Sequence, residues 1–168
     1  ATGQNAISVR NPRTLAETAR LAAGTGPWSA ALRPDGKALY VTNLMPEPAP
    51  FRDPHHSEIT IVDPREGRVT ARVPVPDANT LQGIAFVPGR DVALFTLMRT
   101  NDLIPMTRLQ QGWVVTNGLG VLWPDGRVDQ VLLDDPADSF PDPTGLAVSP
   151  DGKFAIVTSA GSDRVAVV

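Results

Sequence analysis

Apolar residues along this chain fall in short runs broken by proline, glycine and aspartate. That is the punctuation of β-strands and tight turns rather than of long helices. Three segments share one pattern: residues 30–43 read AALRPDGKALYVTN, residues 84–97 IAFVPGRDVALFTL and residues 146–159 LAVSPDGKFAIVTS. Each is an apolar strand, a Pro-Gly turn and a second apolar strand that reaches Thr42, Thr96 or Thr158. The turn prolines, Pro34, Pro88 and Pro150, are spaced by 54 (88 − 34) and 62 (150 − 88) residues.

A second repeat aligns without gaps at an offset of 52: residues 11–21 (NPRTLAETARL) lie over residues 63–73 (DPREGRVTARV). It bears on a local ambiguity. Thr14 to Glu17 has the spacing of a helix capping box. The repeat register instead predicts a turn followed by a strand.

Read this way, each unit has four strands. The first full unit has them at 28–33, 37–42, 57–62 and 69–75, and the second at 82–87, 92–98, 113–123 and 128–133. Asp35-Gly36, Asp125-Gly126 and Asp151-Gly152 are hairpin-turn signals, and Glu66-Gly67 is a weaker one. Four-stranded antiparallel units in tandem predict an all-β fold, a β-propeller of four-stranded blades. The opening (GQNAISV) resembles the close (GSDRVAV), and both read as third strands. Residues 1–25 then hold the third and fourth strands of one blade, 26–78 and 79–135 are full blades, and 142–168 hold the first three strands of another. That is about three blades, a partial propeller, where closed rings use about four to eight. The expectation is that further blades come from the same longer chain or from further subunits, two copies giving one ring.

Composition narrows the function. The formal charge is −3 and the pI about 5.3, so no basic footprint for nucleic acid is expected. No apolar run is long enough for a membrane-spanning helix. The absence of cysteine removes disulfides, thiolate metal sites and C-x-x-C-H haem attachment from these residues.

Tyr40-Val-Thr-Asn43, preceded by Pro34-Asp-Gly-Lys37 and repeated as residues 150–158 (PDGKFAIVT), resembles the YVTN-repeat family of β-propellers. The middle copy departs from it, with Pro88-Gly-Arg-Asp91 and Leu94-Phe-Thr-Leu97. The resemblance implies a periplasmic, secreted or surface location in bacteria or archaea. It also implies kinship with members linked to c-type cytochrome domains, a link that residues 106–122 share in character. Related propellers carry parts of amine dehydrogenases, haem-d1 proteins and lactonases. Three functions stay open on that basis: a scaffold or protein-binding surface, the propeller part of a periplasmic cytochrome-linked oxidoreductase, and a lactonase-type hydrolase. No cofactor is expected in this chain itself, and a metal ion or haem is expected only on an associated domain such as a cytochrome.

Strand alternation puts the tight first-to-second-strand turns on one face of the disc and the long connections, 43–56, 99–112 and 134–143, on the other. Long ordered loops on a rigid scaffold are where binding concentrates. Asp53, His55, His56 and Glu58 combine both histidines with two carboxylates, a donor set that suits zinc, copper or iron. Against ligation, adjacent side chains on an extended backbone point apart. Arg99, Asn101, Asp102, Arg108 and Gln111 offer hydrogen bonds and charge to a ligand or partner, or pair among themselves. Met106 is a soft donor or a packing residue. Trp28, Gln82 and Thr144 each fall six residues before a turn proline, at the start of an innermost strand. With Trp113 they line an axial path or pack between blades. Asp134, Asp135, Asp138 and Asp142 match no EF-hand spacing and read as a solvated loop.

Overall fold

The computed structural model describes residues 2–100, 114–135 and 138–168. Among them are thirteen strands, one short 3-10 turn at Thr2–Gln4 and no α-helix. The first sheet pairs β1 (Ala6–Arg10) with β2 (Glu17–Ala22). The second runs β3 (Pro27–Leu32), β4 (Leu39–Asn43), β5 (Ser57–Asp63) and β6 (Arg68–Val75). The third runs β7 (Ala78–Phe86), β8 (Ala93–Thr100), β9 (Val115–Leu122) and β10 (Val128–Leu132). The fourth runs β11 (Pro143–Val148), β12 (Ala155–Ser159) and β13 (Arg164–Val167). Every pair is antiparallel and joins strands consecutive in sequence.

The stretch around Thr14 turns rather than coils. Asn11 Oδ1 accepts from the N–H of Arg13 (2.9 Å) and of Thr14 (3.1 Å), which holds an Asx turn against helix. Its partner at the 52-residue offset, Asp63, does the same for Arg65 (2.8 Å) and Glu66 (3.0 Å). The hairpin glycines Gly36, Gly67, Gly126 and Gly152 all have positive φ, between 60° and 87°, as those turns require.

A threonine explains one repeated feature of the strands. In the second, third and fourth sheets the first strand shifts register against the second: between Pro27 and Ala30, between Leu81 and Ile84, and between Pro143 and Gly145. A bulge frees a backbone N–H from the ladder. The hydroxyl of the second-strand threonine takes it up. Thr42 Oγ1 accepts from Ser29 N (3.2 Å), Thr96 Oγ1 from Gly83 N (2.8 Å) and Thr158 Oγ1 from Gly145 N (3.1 Å). Valine would fill the same space but offer no acceptor.

Sheets pack face to face in order. One core layer joins Tyr40 and Ile59 of the second sheet to Leu81, Ala93, Phe95, Leu97 and Leu122 of the third. Tyr40 meets Phe86 edge to face at 5.0 Å. The next layer joins Leu119 and Leu94 of the third sheet to Val157, Ala155 and Leu146 of the fourth. Contacts between β7 and both β3 and β11 set the first strands side by side. Hydrogen bonds cross the layers as well: Thr42 Oγ1 donates to Gln82 O (2.6 Å) and Ser57 Oγ to Asn79 O (2.9 Å).

Phe95 is fully buried and lies opposite Gly120 in the ladder. A Cβ built on Gly120 would sit 2.1 Å from Phe95 Cζ, so the ring occupies the space a side chain would take. Gly120→Ala is therefore expected to destabilise the fold by about 1–3 kcal/mol, read by denaturant unfolding. Thr96→Val leaves the Gly83 N–H buried without an acceptor and is expected to cost about 1–3 kcal/mol in the same assay.

Candidate functional site

The two rims of the sheet stack differ in construction. On one rim the long connection between β4 and β5 folds back along the β2–β3 connection. Leu44 N bonds Gly26 O (2.7 Å) and Met45 N bonds Thr25 O (3.0 Å). Glu47 fixes it twice: its Oε1 accepts from Thr25 N (2.9 Å), and its own N–H reaches His56 O (2.9 Å), closing residues 47–56 into a loop. Prolines within that loop lower its ordering cost. At its tip Phe51 is 89% exposed, with the Arg52 guanidinium 5.5 Å from its ring centroid. Met45 is half exposed, and Trp28, on β3, is 56% exposed. Trp28 thus does not bury itself between sheets.

Gln82 on β7 is half-buried and donates from Nε2 to Asp142 Oδ1 (2.9 Å), while its own Oε1 has no donor. Arg99 Nη2 lies 3.3 Å from Asp77 Oδ2, an ion pair with a neighbouring connection. Asn101, Asp102, Met106, Arg108, Gln111 and Trp113 lie outside the described residues. The acidic run after β10 is partly structural. Asp134 accepts from the N–H groups of Asn117 and Phe140, and Asn117 Oδ1 accepts from Asp142 N (3.2 Å). This latch ties β9 to the segment that leads into β11.

The four residues of the candidate metal set sit in different surroundings. Asp53 and His56 are exposed and His55 is half-buried in the loop. Glu58 is buried on β5, where its carboxylate is engaged by Arg72. Arg72 also donates to Ala22 O (3.0 Å) and Ala23 O (3.3 Å), so this pair clamps the first sheet to the second. Gly24 makes the approach possible: a Cβ there would lie 2.7 Å from both Asn43 Nδ2 and Glu58 Oε1. Among the described residues no group of three His, Asp or Glu side chains is placed to hold a metal ion.

The opposite rim carries tight turns and a feature that sequence reasoning passed over. Between the β3–β4 and β7–β8 turns lies a hollow of about 430 Å³ lined by Arg33, Pro34, Asp35, Gly89, Arg90 and Asp91. Arg33 grips Asp35 with two bonds (2.9 and 2.7 Å) and reaches Asp91 of the next sheet at 3.5 Å. The Arg33 guanidinium, helped by the Lys37 N–H, holds the Asp35 carboxyl down at about 2. Burial, with Asp91 nearby, pushes the Tyr40 hydroxyl up. The available signal was Asp91, which stands where the outer repeats have Lys37 and Lys153.

With sheets stacked in sequence and first strands adjacent, the chain has an all-β fold of propeller type. Two propeller-type structures superpose on it. Hydrazine synthase of Kuenenia stuttgartiensis matches with a TM-score of 0.85 at 22% identity, over 97% of this chain and 46% of that one. The periplasmic gluconolactonase of Pseudomonas aeruginosa matches with a TM-score of 0.50 at 16% identity, over 95% of this chain and 42% of that one. The chain thus spans less than half the length of either. No protein-family model matches the sequence. No curated protein matches it.

Asp35 has a depressed carboxyl in the folded state, so its contribution to stability is present above its unfolded value, about 3.9, and is lost as pH falls towards 2. Asp35→Asn is expected to lower Tm at pH 6, with the gap to the parent protein closing between pH 4 and about 2; thermal melts across that range check it.

Proposed function

We propose that this chain is about three blades of an extracytoplasmic β-propeller, similar to the YVTN-repeat propellers, and that it scaffolds or binds a protein partner through the rim of long connections. The observation that carries the reading is the contrast between rims. Trp28, Met45 and Phe51 stand exposed on a rim whose loop is pinned by Glu47, while the described turns of the other rim are short. Pinned loops that expose aromatic and thioether side chains present contact area at low ordering cost, which is what a binding surface needs. An extracytoplasmic location fits the YVTN-like motifs and the periplasmic gluconolactonase among the solved structures of similar fold.

The chain acts as a non-catalytic module in this reading. The sequence has no cysteine for C-x-x-C-H haem attachment, and this reading assigns no haem or metal centre to the chain. Such a group belongs on an associated domain, a cytochrome being one candidate.

A photoreactive phenylalanine analogue at position 51 tests the proposal. In the native protein it is expected to crosslink to one discrete partner recovered from the extracytoplasmic fraction, whereas the same analogue at position 66, in the β5–β6 turn, is expected not to. Equal crosslinking from both positions, or a cytoplasmic location, overturns it. A Soret or copper band travelling with the polypeptide supports the oxidoreductase reading instead, and metal-dependent lactone turnover lost on His55→Ala supports the hydrolase.

A further inference from the structure

The hollow between the β3–β4 and β7–β8 turns comes from an exchange of turn type. Three hairpins share one backbone scheme, with Leu32↔Leu39, Phe86↔Ala93 and Val148↔Ala155 as the pairs next to each turn. The bonds Gly36 N to Arg33 O, Arg90 N to Val87 O and Gly152 N to Ser149 O close the turns at the same place. Within that scheme the residue of positive φ moves. It is Gly36 in the first turn and Gly152 in the last, but Gly89, one place nearer the proline, in the middle turn. Glycine at the nearer place is what a type II turn requires. The exchange opens the farther place to a side chain, and Arg90 occupies it.

The neighbouring gap between turns shows what this changes. There Gly152 stands against the middle turn, and a Cβ on it would lie 3.2 Å from Val87 Cγ1. Between the first two turns the equivalent places hold Arg90 and Arg33, and a hollow of about 430 Å³ remains. Charges of both signs line it, unequally engaged. Arg33 is spent on Asp35, with bonds of 2.9 and 2.7 Å, and reaches Asp91 at 3.5 Å. Asp91 has that one ion pair and accepts no hydrogen bond among the described residues. Arg90 is exposed, and its guanidinium has no partner among the described residues. Arg90 and Asp91 are adjacent, opposite in charge and line one hollow, yet they are not paired with each other.

We propose that this hollow binds a free α-amino acid, with the ligand carboxylate on the Arg90 guanidinium and its ammonium on the Asp91 carboxylate. The planar fork of arginine matches a carboxylate with two parallel bonds. Two arginines and two aspartates leave the lining without net charge, which suits a dipolar ligand. A phosphate would face both aspartates, and a diamine both arginines. Pro34 and Gly89 give the rest of the lining an uncharged surface, and the volume falls in the range of small-molecule pockets. The site is separate from the rim of Phe51, so crosslinks from position 51 do not bear on it.

Calorimetric titration of the native protein tests this, with glycine, L-alanine, L-serine, L-leucine and L-glutamine as probes. At least one is expected to bind saturably, and at least about tenfold more tightly than propionate or propylamine, which each carry half of the recognised pair. Arg90→Gln and Asp91→Asn are each expected to weaken that binding at least about tenfold, and Arg65→Gln, in the β5–β6 turn, to leave it unchanged. Thermal melts check that the variants fold. Arg90→Gly, which restores the residue of the outer turns, repeats the measurement should Arg90→Gln fold poorly, and Asp91→Ser does so for Asp91→Asn. Absence of saturable binding by all of these amino acids overturns the proposal. Propionate binding as tightly as the amino acid also overturns it and assigns a simple anion site. Undiminished affinity in a folded variant at either position overturns the assigned contacts.

Discussion

The arrangement depends on one constraint: successive sheets must pack on one another at close range, across strands that are themselves irregular. A bulge in β3, in β7 and in β11 releases an N–H that no ladder partner satisfies. Thr42, Thr96 and Thr158 resolve this within the sheet, and Thr42 uses its proton to reach the backbone of the next one. One hydroxyl therefore serves as acceptor inside a layer and donor between layers. Aliphatic packing around Ile59, Phe95 and Leu119 supplies the bulk of the burial. Between the second and third sheets, the Thr42 and Ser57 hydroxyls tie that packing to fixed positions on the neighbouring backbone.

Much of this architecture was legible because the chain repeats. The register between residues 11–21 and 63–73 favoured strand over helix near Thr14, and the shared side-chain acceptor of Asn11 and Asp63 is the physical reason. Strand order followed from the turn signals. Strand length did not: β7 starts at Ala78, ahead of the expected 82, because two register shifts let a strand continue through positions that look like a connection. Glycines in β9 were equally opaque, since Gly120 is explained only by the Phe95 ring across the ladder.

Site residues were harder to read, because sequence proximity does not report what a side chain spends itself on. Glu58 stands close to His55 and His56 in sequence, yet β5 turns it inward to Arg72. Asp134 looked solvated and instead accepts two backbone N–H groups. Trp28 was weighed as a packing residue and stands largely exposed on β3. The Arg33–Asp91 contact joins residues of different repeats, and only the lysine-to-aspartate exchange at that turn position hinted at it.

The hydroxyl that crosses from Thr42 ends on a carbonyl, and the clamp from Arg72 ends on two more. Bonds addressed to the main chain are indifferent to which side chains a neighbour happens to carry. Such joints tolerate wholesale substitution around them provided the backbone keeps its path. A stack joined in this way keeps its outline while its side chains change, and its rim loops can vary without loosening the joints beneath.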